Sequence, residues 1–282
     1  MNAPSPESAA MGDTLSASLS HSSVHLVRNS PGWTAGLDME ITEITFRFRK
    51  TVRDFIELGI DLPLLSFSSG FMDGFLKDYH DTFGFPDYGR SRRSDNKFLY
   101  EVRKGGTLVV KGKNGRTGPG DIRLTAKKPL LSGNPAVSIK GEIELPTGDA
   151  HTGFGSGSFG AGLAVLCDAQ LSEKFKSYLN IGVVSPGDLR ALKKVDSREF
   201  VYGSTAIEAA LWKHISLIGQ VLVHSSPFPE TDIPSVDRTA VLLSFGGRYS
   251  AGKNSLEVSF TEDPNTSGAP DFTMNFSFRR LF

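Results

Sequence analysis

With one cysteine in 282 residues, the chain cannot form an internal disulfide, and Cys167 has no Cys or His companion nearby to build a metal site. Cys167 falls on the apolar phase of Leu163, Val165, Cys167, Ala169 and Leu171, which reads as a small hydrophobe. Long hydrophobic runs are also missing: nothing approaches the ~18 consecutive apolar residues that a transmembrane helix needs. Neither charge sign is in excess, with 31 basic residues against 31 acidic ones, which argues against a general nucleic-acid binder. Residues 1–12 (MNAPSPESAAMG) carry neither the basic flank nor the apolar centre of a secretory signal, so a removed or truncated leader is expected. Residues 1–13 read as a flexible segment.

What is abundant points to β-structure. The chain holds 30 glycines and 20 phenylalanines. Its last stretch, Phe272-Thr273-Met274-Asn275-Phe276-Ser277-Phe278-Arg279, alternates apolar and polar without a break before Phe282. Strict period-two alternation marks a strand with one apolar and one wet face. An apolar outer face needs a cover, and lipid supplies one. The mildly hydrophilic mean hydropathy of -0.17 is compatible, because alternation dilutes the signal in every segment.

About twelve such strands are expected, at 15–27, 40–52, 55–67, 121–131, 136–145, 160–172, 175–184, 201–213, 215–225, 239–249, 255–260 and 272–282. Most reach ~10 residues, enough to cross a bilayer core when tilted, whereas soluble strands average ~5–6. Short connections at 52–54, 132–135, 172–174, 213–214 and 251–254 alternate with long ones at 28–39, 68–120, 146–159, 185–199, 226–238 and 265–271. The expected fold is all-β: an antiparallel transmembrane β-barrel over 14–282, with short periplasmic turns and long extracellular loops. The insertion 68–120 is its longest extracellular loop. A hairpin at 98–103 and 107–110 would raise the count to fourteen if it crossed.

The polar phase of these strands predicts an ionic lumen lining. It comprises Glu43, Arg47, Arg49, Glu57, Asp61, Arg123, Lys127, Lys140, Glu142, Glu144, Asp168, Glu208, His224, Arg248, Glu257 and Arg279. The signs nearly balance, so strong ion selectivity is not expected, and cross-strand ion pairs could close such a lumen as easily as line it. Within the insertion, residues 71–85 place Phe71, Phe75, Leu76 and Tyr79 at helical spacing. With Phe83 and Phe85 these aromatics are expected to form a loop plug, or a lid packed on its own loop.

Other constellations carry weaker chemistry. Residues 145–160 look superficially like a phosphate-cradling loop but lack the Gly-Lys-Ser/Thr ending and join two strands. His80 with Asp78 and Asp81, His151 with Asp149, and His224 with Ser225 and Ser226 are the hydrolase candidates, without a specific spacing. His214 falls at a short turn. Asp78, Asp81, Glu262 and Asp263 could meet Ca²⁺, yet no EF-hand spacing is present. No catalytic residue, metal or cofactor is expected. Arg90, Arg92 and Arg93 with Tyr88 form the one basic cluster, suited to lipopolysaccharide phosphates or simply solvated.

The "ELPTGD … GSGSFG" passage, "FGFPDYGR", "GDIRLTAKKPLL" and "SFTEDPNTSGAPDFTMNFSF" together resemble an uncharacterised proteobacterial family of outer-membrane barrels, a domain of unknown function. The "LPTGD … GSGS" hairpin also looks like the outer-membrane barrels linked to meta-pathway phenol degradation. The likeness spans roughly 15–282 and offers no established active site. The terminal strand resembles the assembly signal of such barrels, with Arg280 a more polar choice than usual. The resemblance implies location in the bacterial outer membrane and contact with its lipid and lipopolysaccharide. It also implies recognition of the strand ending at Phe282 by the barrel-assembly machinery. The expected function is a passive channel or binder for a small solute, apolar or aromatic given the Phe-rich insertion. A non-conducting structural or surface-interaction barrel, a membrane hydrolase and a soluble binding barrel are the alternatives.

Overall fold

Alternating side chains need a sheet that keeps its two faces apart along its whole length. A computed structural model, describing residues 6–85, 89–265 and 267–282, shows how this chain does so. Twelve strands form the wall: β1 (Thr14–Asn29), β2 (Trp33–Val52), β3 (Ile56–Ser68), β7 (Ile122–Leu131), β8 (Ala136–Leu145), β9 (Gly160–Gln170), β10 (Phe175–Ser185), β13 (Phe200–Trp212), β14 (Ile215–His224), β15 (Ala240–Ala251), β16 (Asn254–Glu262) and β17 (Phe272–Leu281). Each pairs antiparallel with its neighbours, and β1 pairs with β17, so the sheet closes and leaves no edge among the wall strands. Five short strands lie outside this ring: β4 (Leu99–Lys104), β5 (Thr107–Lys111), β6 (Thr117–Pro119), β11 (Leu189–Arg190) and β12 (Lys194–Val195).

Cα-partnered residues share a face, so the register assigns every wall residue to the outside or the lumen. The outward set includes Phe46, Phe48, Leu58, Leu124, Ile143, Val165, Ile181, Ile207, Leu217, Phe245, Val258, Phe260, Phe276 and Phe278, all exposed. Such a continuous apolar belt on a monomer surface is a lipid-facing wall. Exposed Phe55, Phe175, Trp212 and Tyr249 mark its short-turn end, and Phe71, Phe75, Phe83 and Phe159 the long-loop end. These are the two aromatic girdles of a membrane barrel. Cys167 shares the outward phase of Val165.

One expectation about connections changes. Residues 28–39 are not a long loop: β1 runs to Asn29 and β2 begins at Trp33. At ~3.3 Å per residue, the 20 residues of β2 exceed what the bilayer needs, so the β1–β2 hairpin rises above it. Its partner β3 ends at Ser68, opposite Glu40, and β4 takes over the vacated edge by pairing with residues 33–38. β4 and β5 therefore extend the β2 edge above the wall, and the barrel has twelve strands, not fourteen. Gly105 and Gly106 make that hairpin turn with φ of 56° and 75°, the doubled left-handed geometry that a two-residue loop favours.

The helix predicted at 71–85 is α1 (Asp73–Phe83), which buries Leu76 and His80 and leaves Phe75 and Phe83 exposed. Among the described residues, no helix is long and apolar enough to cross a membrane.

Candidate lumen site

All sixteen residues predicted to line the lumen fall on its inward phase, and most are joined in ion pairs on two sides of the barrel. On one side, Asp61 receives Arg49 at 2.6 Å, with Arg47 and Arg123 at 3.7 and 3.8 Å. Lys127 meets Glu57 at 3.1 Å and Lys140 meets Glu142 at 3.2 Å. Lys176 meets Asp168 at 3.2 Å. Thr45 donates to Glu43 at 2.6 Å, while Glu144 lies opposite Arg123 in the register. Across the barrel, Arg248 bridges Glu208 at 2.6 Å and Glu257 at 2.9 Å, and the Tyr178 hydroxyl donates to Glu208. Arg279 lies beside this second group. His224 stands at the long-loop end with Nδ1 3.0 Å from the Ser225 carbonyl. Each of these cations has a carboxylate within reach, including Lys127 and Lys140, which face each other across strands, because an unpaired charge in so enclosed a space is costly.

The expected flexibility of residues 1–13 does not hold for residues 6–13. The chain before β1 turns back into the barrel and climbs its inner wall from the short-turn end. The Gly12 N–H donates to Glu57 at 2.9 Å, and the Ala9 N–H donates to Asp168 at 3.0 Å. Ser8 donates to the other Asp168 oxygen at 2.5 Å. Lys127 donates to the carbonyls of Ser8 and Ala10, and Ser138 to that of Ala9 at 2.6 Å. Lys140 holds the Glu7 carboxylate at 2.7 Å. Ala9 packs on Ala164 and Leu166. Residues 6–12 are thus a strap lodged in the lumen.

The long-loop mouth is apolar. Met39, Phe67 and Phe154 are buried together, with Leu37, Ile41, Leu65, Phe98 and Tyr100 packed around them. Phe67 and Phe154 stack with centroids 4.8 Å apart, and Tyr100 meets Phe67 edge-on at 5.1 Å. Phe154 arrives from the glycine-rich 146–159 loop. That loop cradles no external anion, because the Asp121 carboxylate fills it, accepting from Gly148 N–H at 2.8 Å and Ser156 N–H at 2.6 Å. This internal anchor explains the "PTGD … GSGS" spacing.

The predicted plug lies elsewhere. Phe75 and Tyr79 pack on Phe272, Tyr79 also meets Phe83 and Phe85, and Phe71 stacks on His21 at 5.2 Å. Phe272 has the outward phase of Phe276 and Phe278, and His21 that of Leu19. Helix α1 therefore leans on the outer wall above the lipid belt, and the plug expectation is corrected. The reason is chemical: strand residues 272 and 274 offer an apolar seat outside, whereas the lumen at that height is already occupied.

Beneath α1 sits a polar latch. Arg90 is buried and pairs with Asp73 and, at 2.6 Å, with Asp271, while it donates to Ser23 at 3.0 Å. Arg93 pairs with Asp38 at 2.6 Å, so of the three arginines of the predicted basic cluster Arg92 is the exposed one. Tyr88 lies outside the described residues. Burial pushes the Asp271 carboxyl up to about 6 despite Arg90 and His25 beside it. The Asp263 carboxyl is likewise pushed up to about 6 by burial, against the donors of Ser267. His80 is buried against Glu262 at 3.5 Å, whereas Asp78 and Asp81 point to solvent. His151 is exposed on its turn. The structure assembles none of the three hydrolase groupings.

The strap and the apolar mouth escaped sequence reasoning. One signal existed for the mouth: Phe67 continues the polar phase of Glu57 and Asp61, so an aromatic stood where a charge was the rule. The strap left none.

Two solved structures share the architecture. The COG4313 outer membrane channel from Pseudomonas putida F1 is 14% identical, with each chain covered over 100% of its length at a TM-score of 0.64. The NanC porin is 7% identical, covering 95% of this chain and 98% of its own at 0.53. At these identities the likeness is one of fold. No curated protein matches the sequence. The family described as "Protein of unknown function (DUF3187)" matches residues 21–282, from the first strand to the last residue, and the chain belongs to that family.

Proposed function

We propose that the protein is an outer-membrane barrel that gives small solutes passive passage along its lumen. The carrying observation is the strap. An inner wall that accommodates seven residues of main chain is wide enough for a small solute once that chain withdraws. The balanced charges of the wall favour no ion sign strongly. The Phe67, Phe154 and Tyr100 cluster at the mouth selects for apolar or aromatic solutes among those small enough to enter.

The outward apolar belt supports bacterial outer-membrane lipid as the surrounding medium, and the exposed Arg92 at the long-loop rim supports contact with lipopolysaccharide there. β17, apolar on its outer phase and followed by Phe282, suits recognition by the barrel-assembly machinery. A catalytic role is not part of this reading: His80 is buried against Glu262, His151 is exposed on its turn, and His224 lies against the Ser225 carbonyl. A second reading, a closed structural barrel, is favoured by the ion pairs and strap that fill the wall's interior. Efflux from proteoliposomes decides between them. Passage predicts protein-dependent release of a small aromatic alcohol and a small sugar, the alcohol faster. Release no faster than from empty vesicles supports the closed barrel.

A further inference from the structure

The groups that hold the strap are more specific than a filler segment requires. Lys127 and Lys140 are direct partners in the β7–β8 register, so two ammonium groups project side by side into the lumen. Glu57 and Glu142 compensate them from one side, and the Glu7 carboxylate meets Lys140 from the other. Arg49 adds to the positive field at Glu7. Two residues along, Ser138 is fully buried and donates to the Ala9 carbonyl, while Asp168, 4% exposed, accepts the N–H of the same Ala9. Lys127, 6% exposed, donates to two further carbonyls. The wall thus presents a pair of cations, donors that read backbone carbonyls and a carboxylate that accepts an amide N–H, grouped around one short segment. Buried donors and acceptors of this kind need a partner at all times, so the site is never indifferent to what fills it.

We propose that this stretch of wall is a binding site for a short, carboxylate-bearing solute with amide or carbonyl groups along its backbone, such as a short acidic peptide. Residues 6–12 are its tethered occupant. The inference rests on the reading of the lumen as solute-accessible and names the class of solute that competes with the strap. A tethered ligand enjoys a high local concentration, so free solute displaces it only when abundant, or when the strap is drawn out. Apolar solutes cross the aromatic mouth but find no partner at this site. Carboxylates are retained there.

The test uses the refolded full chain and a variant lacking residues 1–11, each verified as folded by heat-modifiable gel mobility. A second variant, Ala9→Asp in the full chain, expels the strap without shortening it, because Ala9 packs on Ala164 and Leu166. The probe is the blocked pentapeptide Pro-Glu-Ser-Ala-Ala, which copies residues 6–10, titrated calorimetrically in detergent. Saturable one-site binding is expected in either strap-free form and much weaker binding in the full chain. Replacing the peptide's Glu by Gln, or Lys140→Gln in the truncated protein, is expected to weaken binding about tenfold or more, as for a charged hydrogen bond. Absence of peptide binding in both folded strap-free forms overturns the inference, as does binding unaffected by both Glu→Gln and Lys140→Gln. Binding needs no flux, so the efflux experiment can fail while this one succeeds, or the reverse.

Discussion

Placing an arginine at successive outward positions of β17 should measure the depth of the membrane belt. Phe276 stands mid-strand, outward and 44% exposed, with Leu19 and Val258 as its register partners. Phe278 lies one pleat nearer the short-turn end. There, at position 280, the native chain already carries an exposed arginine. Two residues rise ~6.8 Å along a strand, or ~5 Å along the bilayer normal at the usual tilt. A cationic side chain costs about 2–4 kcal/mol at the midplane and about 0–1 kcal/mol near the interface. Phe276→Arg should therefore lose about 2–4 kcal/mol and Phe278→Arg roughly half as much. Arg280→Leu should be close to neutral. Guanidinium titrations of folding into phospholipid vesicles, followed by tryptophan fluorescence and gel mobility, read these differences. Equal costs at 276 and 278, or a Phe276→Arg variant as stable as the parent, would refute the lipid-facing assignment and the depth argument with it.

Arg248→Ala should destabilise the barrel by about 3 kcal/mol in the same titration, because it strands Glu208 and Glu257 inside the wall; a loss below about 0.5 kcal/mol contradicts their mutual dependence. Leu76→Ala should release α1 from the outer wall, and faster protease cleavage within residues 69–98 checks this without any change in barrel mobility. Burial raises the Asp263 pKa to about 6, so the 263–271 loop is most stable below the unfolded value near 4. That stability is lost as pH rises through about 6, by up to about 2–3 kcal/mol. Carbon-detected NMR should place its midpoint near 6, and a midpoint below 4 would refute the burial argument. Asp263→Asn should hold the loop as firmly at pH 7.5 as at pH 5.

Much of the wall was legible because period-two alternation is a local property. Residues 136–145 were read with the ends that β8 has, and the lumen-facing charges followed from the same phase. Residues 28–39 read as a loop because Pro31, Gly32 and Gly36 break the alternation, yet the structure pairs residues 34–39 with β1 and residues 33–38 with β4, which lies more than sixty residues away. The aromatic segment 71–85 was correctly helical but wrongly placed. Helical spacing shows which side chains share a face, and nothing local says whether that face meets the lumen or the outer wall. The strap is further still from local reading. It is held through backbone groups by Lys127, Ser138 and Asp168, more than a hundred residues along the chain. Its own Ser, Ala and Pro carry no periodicity.

Single-channel conductance in planar bilayers, compared between the full chain and the form lacking residues 1–11, tests passage through the lumen most directly. Discrete openings, larger or more persistent once the strap is gone, are the predicted result. Silence from both forms, each verified as folded and inserted, would contradict a solute-conducting lumen and leave a closed structural barrel.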